Sequence, residues 1–437
     1  MTPTRTRTRT RTRTRTRTRT RTRAQAVLGL ALALGLSLTA CSTKAKNNTA
    51  SKTENGVKAG PGVTADKINL GVLTDESGVF AALGTTVTQG NQLAVDEINA
   101  AGGICGRKIS LTVKDTAYDV QTAVSQYAEI APTIAGILQI IGSPATTALL
   151  PTITSDHMVS ATATWSSSLL SSPDMQISGA TYDIEMINGI SYLLDRGLIH
   201  KGNKLGHIAF EGAYGDNGLA GSKYAADKLG FTIVTQRPKA TETDMTSAVQ
   251  ALKQAGVKAI LLTVAPKQLA SAAGVAAASG LDVPILGNNP TFSPLLLASP
   301  AGPAIEKNFY LSASSAPLSA DLPAAKKILA AFKAKYPSAT PNAGVAYGYG
   351  VGKIYEQTLK AACDAKDLTR EGIEKAFHTL SHVDTGGIIA PLDYSKQGQI
   401  PARQTYIIRA NKANLAIDGL KVEKQLFESD TAKGYTP

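Results

Sequence analysis

Apolar and polar residues alternate along Ile68-Asn69-Leu70-Gly71-Val72, a period of two that predicts a strand, and a turn follows at Ser77-Gly78. Over 84–100 the period lengthens. Val87, Ala94 and Ile98 fall near one face of a predicted helix, which Gly102-Gly103 stops. The exchange repeats, with a strand at 109–113, a helix at 120–131, an almost wholly apolar strand at 135–141 and a short strand near Met158-Val159. Past Tyr182 the pattern predicts helices at 184–196, 217–229, 244–255 and 267–279, with strands at 204–210, 231–235, 258–264 and 283–286 between them. Helices near 322–335, 343–362 and 370–380 and a strand at 404–409 follow.

Continuous apolar strands flanked by helices predict parallel sheets covered on both faces, an α/β fold. The body, roughly 64–437, is long for one core, so two parallel-sheet lobes are expected. In such sheets a ligand sits beyond the carboxyl ends of the strands. The loops there, near 74–83, 142–147, 160–165, 181–183, 211–217, 265–266 and 287–290, are rich in Thr, Ser, Asn, Gly and Tyr. These residues can hydrogen-bond a small polar solute, and they also suit caps and turns.

The amino-terminal end has another character. Thr and Arg alternate over 4–23, and an apolar run follows from Ala26 to Leu36. A positive stretch, a short apolar run and small residues before position 41 predict an export signal over 1–40. Leu38-Thr39-Ala40-Cys41 resembles the lipobox of bacterial lipoproteins, which implies acylation of Cys41 and a lipid anchor on the extracytoplasmic face; the alternative is an ordinary secretory signal with an incidental cysteine. The stretch 41–63, poor in large apolar residues, is expected to be a flexible tether. The leader also explains the charge. Of the formal +12, ten charges are arginines of the repeat, and the rest of the chain carries about +2. That excludes a nucleic-acid-binding reading based on net charge.

Little in the body points to catalysis. Gly348-Tyr349-Gly350-Val351-Gly352-Lys353 lacks the preceding strand and the Ser/Thr of a phosphate loop, and it reads as helix, with Gly348 and Gly352 on one face permitting close packing. The five histidines form no HExxH pair, and no serine sits in a G-x-S-x-G elbow, so neither a metal, a cofactor nor a catalytic residue is expected. Asp75, Glu76, Asp183 and Glu211 fall at strand ends, where binding explains them as well as chemistry does. Cys105 and Cys363, the two body cysteines, are either one disulfide or two free buried thiols.

Leu73-Thr74-Asp75-Glu76-Ser77-Gly78, Gly84 and the run Gly90 to Arg107 through AVDEINAAGG resemble the opening of the type I periplasmic binding proteins, in their Leu/Ile/Val-binding branch serving ABC transporters. Asp115, Tyr214-Gly215 and Gly386-Gly387 to Asp393 match further landmarks. The resemblance implies two lobes joined by three crossing segments, with 66–182 and 315–402 in the first and 183–314 and 403–437 in the second. Both cysteines then share the first lobe, which favours their pairing. It also implies closure on a small solute, such as an amino acid, and its transfer to a membrane permease.

Family contacts map onto Leu83 in the first loop, Thr146 after the 135–141 strand, Thr162 and Thr164 as holders of the solute's carboxylate, and Tyr214 from the second lobe. Asn289 stands where the family has an ammonium-binding glutamate. An amide brings no charge, so either Asp183 or Glu211 compensates, or the solute is not a conventional α-amino acid. Trp165 closes over an apolar part of the ligand or is a hinge-side core residue. A sensory receptor module and an amide-hydrolysing enzyme on the same scaffold are the alternatives to transport.

Overall fold

The structure, a computed structural model, describes residues 52–437. The expected signal, the lipidation site at Cys41 and the first part of the expected tether lie outside the described residues. The remainder of that tether corrects the expectation. A hairpin of β1 (Lys52–Glu54) and β2 (Val57–Ala59) docks on the body. Val57, Ala59 and Val63 are buried, and Gly62, at φ +76°, passes so close to the backbone of Ile134 and Ala135 that a Cβ would fall 2.2 Å from the Ala135 nitrogen. An edge strand needs mainly backbone partners and a few small apolar residues, which a polar composition does not reveal.

The first lobe follows, with β3 (Lys67–Thr74), α1 (Ala81–Ala100), β4 (Lys108–Asp115), α2 (Val120–Ile130), β5 (Gly136–Ile140), α3 (Ser143–Ser155), β6 (Ser160–Thr162) and β7 (Met175–Ile177). Its sheet is parallel throughout, in the order β4-β3-β5-β6-β7. All five residues of β5 are buried, as expected of a strand covered on both faces.

The chain then crosses to a second sheet through α4 (Tyr182–Asp195), β8 (Lys204–Ala209), α5 (Ala213–Leu229), β9 (Thr232–Gln236), α6 (Thr246–Gln254), β10 (Ile260–Thr263), α7 (Pro266–Ala278), β11 (Ile285–Asn288), α8 (Gly302–Asn308) and β12 (Phe309–Ala313). It returns to the first lobe for α9 (Pro323–Lys335), α10 (Ala343–Asp364), β13 (Asp367–Leu368), which pairs with β2, and α11 (Arg370–Phe377). A third passage leads to β14 (Thr405–Ala410), β15 (Leu420–Phe427) and α12 (Asp430–Lys433). The second sheet runs β15-β14-β12-β11-β10-β8-β9, parallel from β9 to β12, with β14 and β15 added antiparallel. Two crossing segments pair with each other through Ala316 N–H to Ile388 O and Ala390 N–H to Ser314 O.

The Gly348 segment is helical, and α10 packs against α1. A Cβ on Gly348 would lie 2.1 Å from the carbonyl oxygen of Val87, so only glycine allows this approach. At the other end of α10, Cys363 is joined to Cys105 by a disulfide with Cα atoms 5.9 Å apart.

Candidate ligand-binding site

A cavity of about 500 Å³ opens between the lobes, beyond the carboxyl ends of the strands. Its size is that of an ordinary small-ligand site. Three helices begin at its wall. Residues 78–83 of the loop entering α1 line one wall; Pro266 and Lys267 bring in the start of α7, and Ala343 and Gly344 the start of α10. The partial positive charge at a helix start favours an anionic group, although Asp75 already accepts from the Gly78 and Phe80 amides before α1 and Asn342 from the Gly344 amide of α10. Lys267 is exposed and has no ion-pair partner among the described residues.

The rest of the lining is chiefly apolar. Phe80, Leu83, Trp165, Phe292, Leu296 and Leu311 surround the centre. A second depression of about 310 Å³ shares Ala81, Ala82, Ser293, Pro294, Leu295 and Asn342 with the cavity and runs outward, where Leu295 is 60% exposed. Asp418 is the one carboxylate in the lining; burial raises its pKa to about 6, and it accepts bonds from the N–H groups of Ser319 and Leu420.

Of the residues singled out in the sequence, Leu83, Trp165 and Asn289 line this cavity. The Trp165 ring lies 4.7 Å from that of Tyr347, and its indole N–H donates to Ser178 O at 3.1 Å. The Asn289 amide does not stand free for a ligand: it donates to Glu185 Oε1 at 2.9 Å, and its backbone N–H donates to Glu185 Oε2 at 3.1 Å. Glu185 is fully buried, and desolvation pushes its carboxyl well above the ordinary range despite these bonds and one from the Ser314 amide.

The other expected contacts, Thr146, Thr162, Thr164, Asp183 and Tyr214, lie outside the cavity lining, with their polar atoms engaged by neighbours. Thr146 donates to Gly142 O at 2.9 Å and lies 3.4 Å, hydroxyl to hydroxyl, from Thr164; Thr162 donates to Ile140 O. Asp183 is no substitute for the missing glutamate. Its buried carboxylate accepts from Thr181, the Ile184 amide, Asn217 and Tyr435. The Tyr214 hydroxyl faces into its own lobe, 3.0 Å from Asn288 Oδ1 and 3.2 Å from Asn289 O. Between the threonines and Tyr214 the space is filled by rings. Phe80 and Tyr118 meet at 5.0 Å, Tyr182 and Tyr214 at 4.6 Å, leaving a gap of about 10 Å³.

The sequence profile of the periplasmic binding proteins matches residues 67–414. The chain belongs to the periplasmic binding protein family. It is an extracytoplasmic substrate-binding protein of an ABC importer, in the group that includes the Leu/Ile/Val-binding proteins, and the family is non-catalytic. The structure superposes on a fatty acid ABC transporter substrate-binding protein from Thermomonospora curvata with a TM-score of 0.85 and 44% identity, covering 87% of this chain and 97% of that one. Leu/Ile/Val-binding protein homolog 3 of Brucella melitensis is 26% identical over 355 residues, 76% of this chain and 88% of that protein. A 58-residue stretch is 43% identical to Leu/Ile/Val-binding protein BraC3 of Rhizobium johnstonii, covering 13% of this chain and 16% of that protein.

Within this periplasmic binding protein, several lining residues lay outside the sequence reading. Phe292 to Leu297 (FSPLLL) is an apolar run placed just after a ligand-side loop, a legible signal for the apolar wall. Lys267 also sits at a strand end, two residues past the β10–α7 turn at Ala265. Asn342 caps α10 and Tyr347 lies within it, away from the loops at the strand ends. No helix among the described residues is long and apolar enough to cross a membrane.

Proposed function

We propose that this importer receptor takes an amphipathic anion, a carboxylate carrying an apolar chain such as a fatty acid. The observation that carries this reading is the joining of three helix amino termini and Lys267 to an otherwise apolar cavity. A carboxylate satisfies the positive end. The chain gains roughly 25 cal/mol for each Å² of apolar surface it buries. An α-ammonium finds little to pair with, because the Asn289 amide is committed to Glu185 and only Asp418 offers a carboxylate. The Thermomonospora curvata relative, described as a fatty acid transporter component, supports the same class. The carboxylate keeps the polar end expected of the solute, while the groove past Leu295 accommodates chain length.

Anchoring through an acylated Cys41 and delivery to an ABC permease complete the proposal. Mass spectrometry of the protein extracted from membranes tests the anchor: a diacylglyceryl-modified peptide beginning at Cys41 is expected, and an unmodified Cys41 contradicts it. Isothermal titration with decanoate and with leucine tests the ligand. Binding of decanoate at least tenfold tighter than leucine is expected, and the reverse order contradicts the class.

A further inference from the structure

At the opposite end of the first-lobe sheet from the cavity, three side chains distant in sequence converge. His157 lies in the turn after α3, Asp174 immediately precedes β7, and Glu374 belongs to α11. One potential ligand atom from each lies within 4.8 Å of the other two, and His157 Nδ1 is 2.7 Å from Glu374 Oε2. Asp174 is completely buried, and neither of its carboxylate oxygens has a hydrogen-bond partner among the described residues. Buried carboxylates are ordinarily satisfied by donors or by a cation, because desolvation of the charge is costly. His157 shields this one only partly, since its ring is engaged by Glu374 and its side chain is 49% exposed.

We infer that His157, Asp174 and Glu374 form a binding site for a divalent transition metal of the zinc type. An imidazole nitrogen with two carboxylates is a donor set that suits zinc, whereas calcium asks for six or more oxygens. At bond lengths of about 2.0–2.2 Å, donors around one such ion stand roughly 3.3 Å apart, so the trio needs only small side-chain adjustments. The exposed side of His157 leaves room for a solvent ligand in the fourth position. The ion ties the edge of the sheet, at β7 and the turn after α3, to α11 some 200 residues further along the chain. Its role is structural, apart from the ligand cleft.

Titration of the chelator-treated full-length protein with zinc chloride tests the assignment. One zinc per chain is expected, with micromolar or tighter affinity and a higher melting temperature; His157→Ala and Glu374→Gln are each expected to weaken binding at least tenfold. Because Asp174→Asn alters a buried group, the two variants at the more accessible positions carry the test, and far-ultraviolet circular dichroism confirms that they fold. Absence of zinc binding in the unmodified protein overturns the inference. So does equal affinity in the His157→Ala/Glu374→Gln double variant, which places the ion elsewhere, or tighter binding of calcium than of zinc.

Discussion

Among the described residues, Lys267 is the one basic side chain in the cavity lining, and it is exposed with no carboxylate partner among them. Replacing it with methionine keeps the apolar stem and removes the charge. The expected result is a roughly tenfold loss of affinity for a fatty acid, about 1.4 kcal/mol, with the melting temperature nearly unchanged. His207 supplies a second prediction. It is fully buried between Ser222 Oγ, 2.8 Å from Nδ1, and Thr263 Oγ1, 2.9 Å from Nε2, and burial lowers its pKa from 6.5 to about 3. Between those values the unfolded chain binds a proton that the folded one refuses, so stability falls as pH drops through that window. Denaturant midpoints at pH 7 and pH 4.5 are expected to differ less in His207→Gln than in the unmodified protein. At this scale residue type and loop position were legible in the sequence, and Leu83, Trp165 and Asn289 line the cavity. The sequence could not reveal that Thr162, Thr164 and Tyr214 spend their polar atoms on residues from other parts of the chain, whereas the Thr146 bond to Gly142 and the Asp183 bonds to Thr181 and Ile184 are local.

Elements were legible where their periodicity was clean. The rhythm of buried strands and amphipathic helices is strong in β5, β10 and α10, whose apolar faces meet a core. It fails in α3, where Thr-rich composition and an internal Pro151 mask a helix, and in β15, whose alternation leaves only Leu420 fully buried. The 52–59 hairpin escaped because it is held by pairing with β13 and by two buried side chains among those described, Val57 and Ala59, too few to stand out in a polar stretch. Deleting residues 52–63 is expected to lower the melting temperature without changing ligand affinity, since the segment caps the first lobe away from the cavity. Glycine pattern was more informative. Gly348→Ala is expected to destabilise the protein by about 1–3 kcal/mol in chemical denaturation, because its Cβ would meet Val87 O and force α1 and α10 apart.

At the scale of the whole molecule, the lobes already meet across the cleft. Asn217 of α5 donates to Ser167 Oγ of the first lobe at 2.6 Å, and the rings of Phe80 and Tyr214 stand 6.3 Å apart. A ligand that binds better between closed lobes shifts an open–closed balance, so small-angle scattering is expected to show a smaller radius of gyration with fatty acid than without it. The central claim, that this cleft receives an amphipathic anion, has a built-in reporter. Trp165 is the only tryptophan of the chain, is 3% exposed and lines the cavity. Titration of its fluorescence with decanoate is predicted to give a saturable change at micromolar concentration, weakened about tenfold in Lys267→Met, with little response to leucine. A saturable response to leucine and none to decanoate would contradict it.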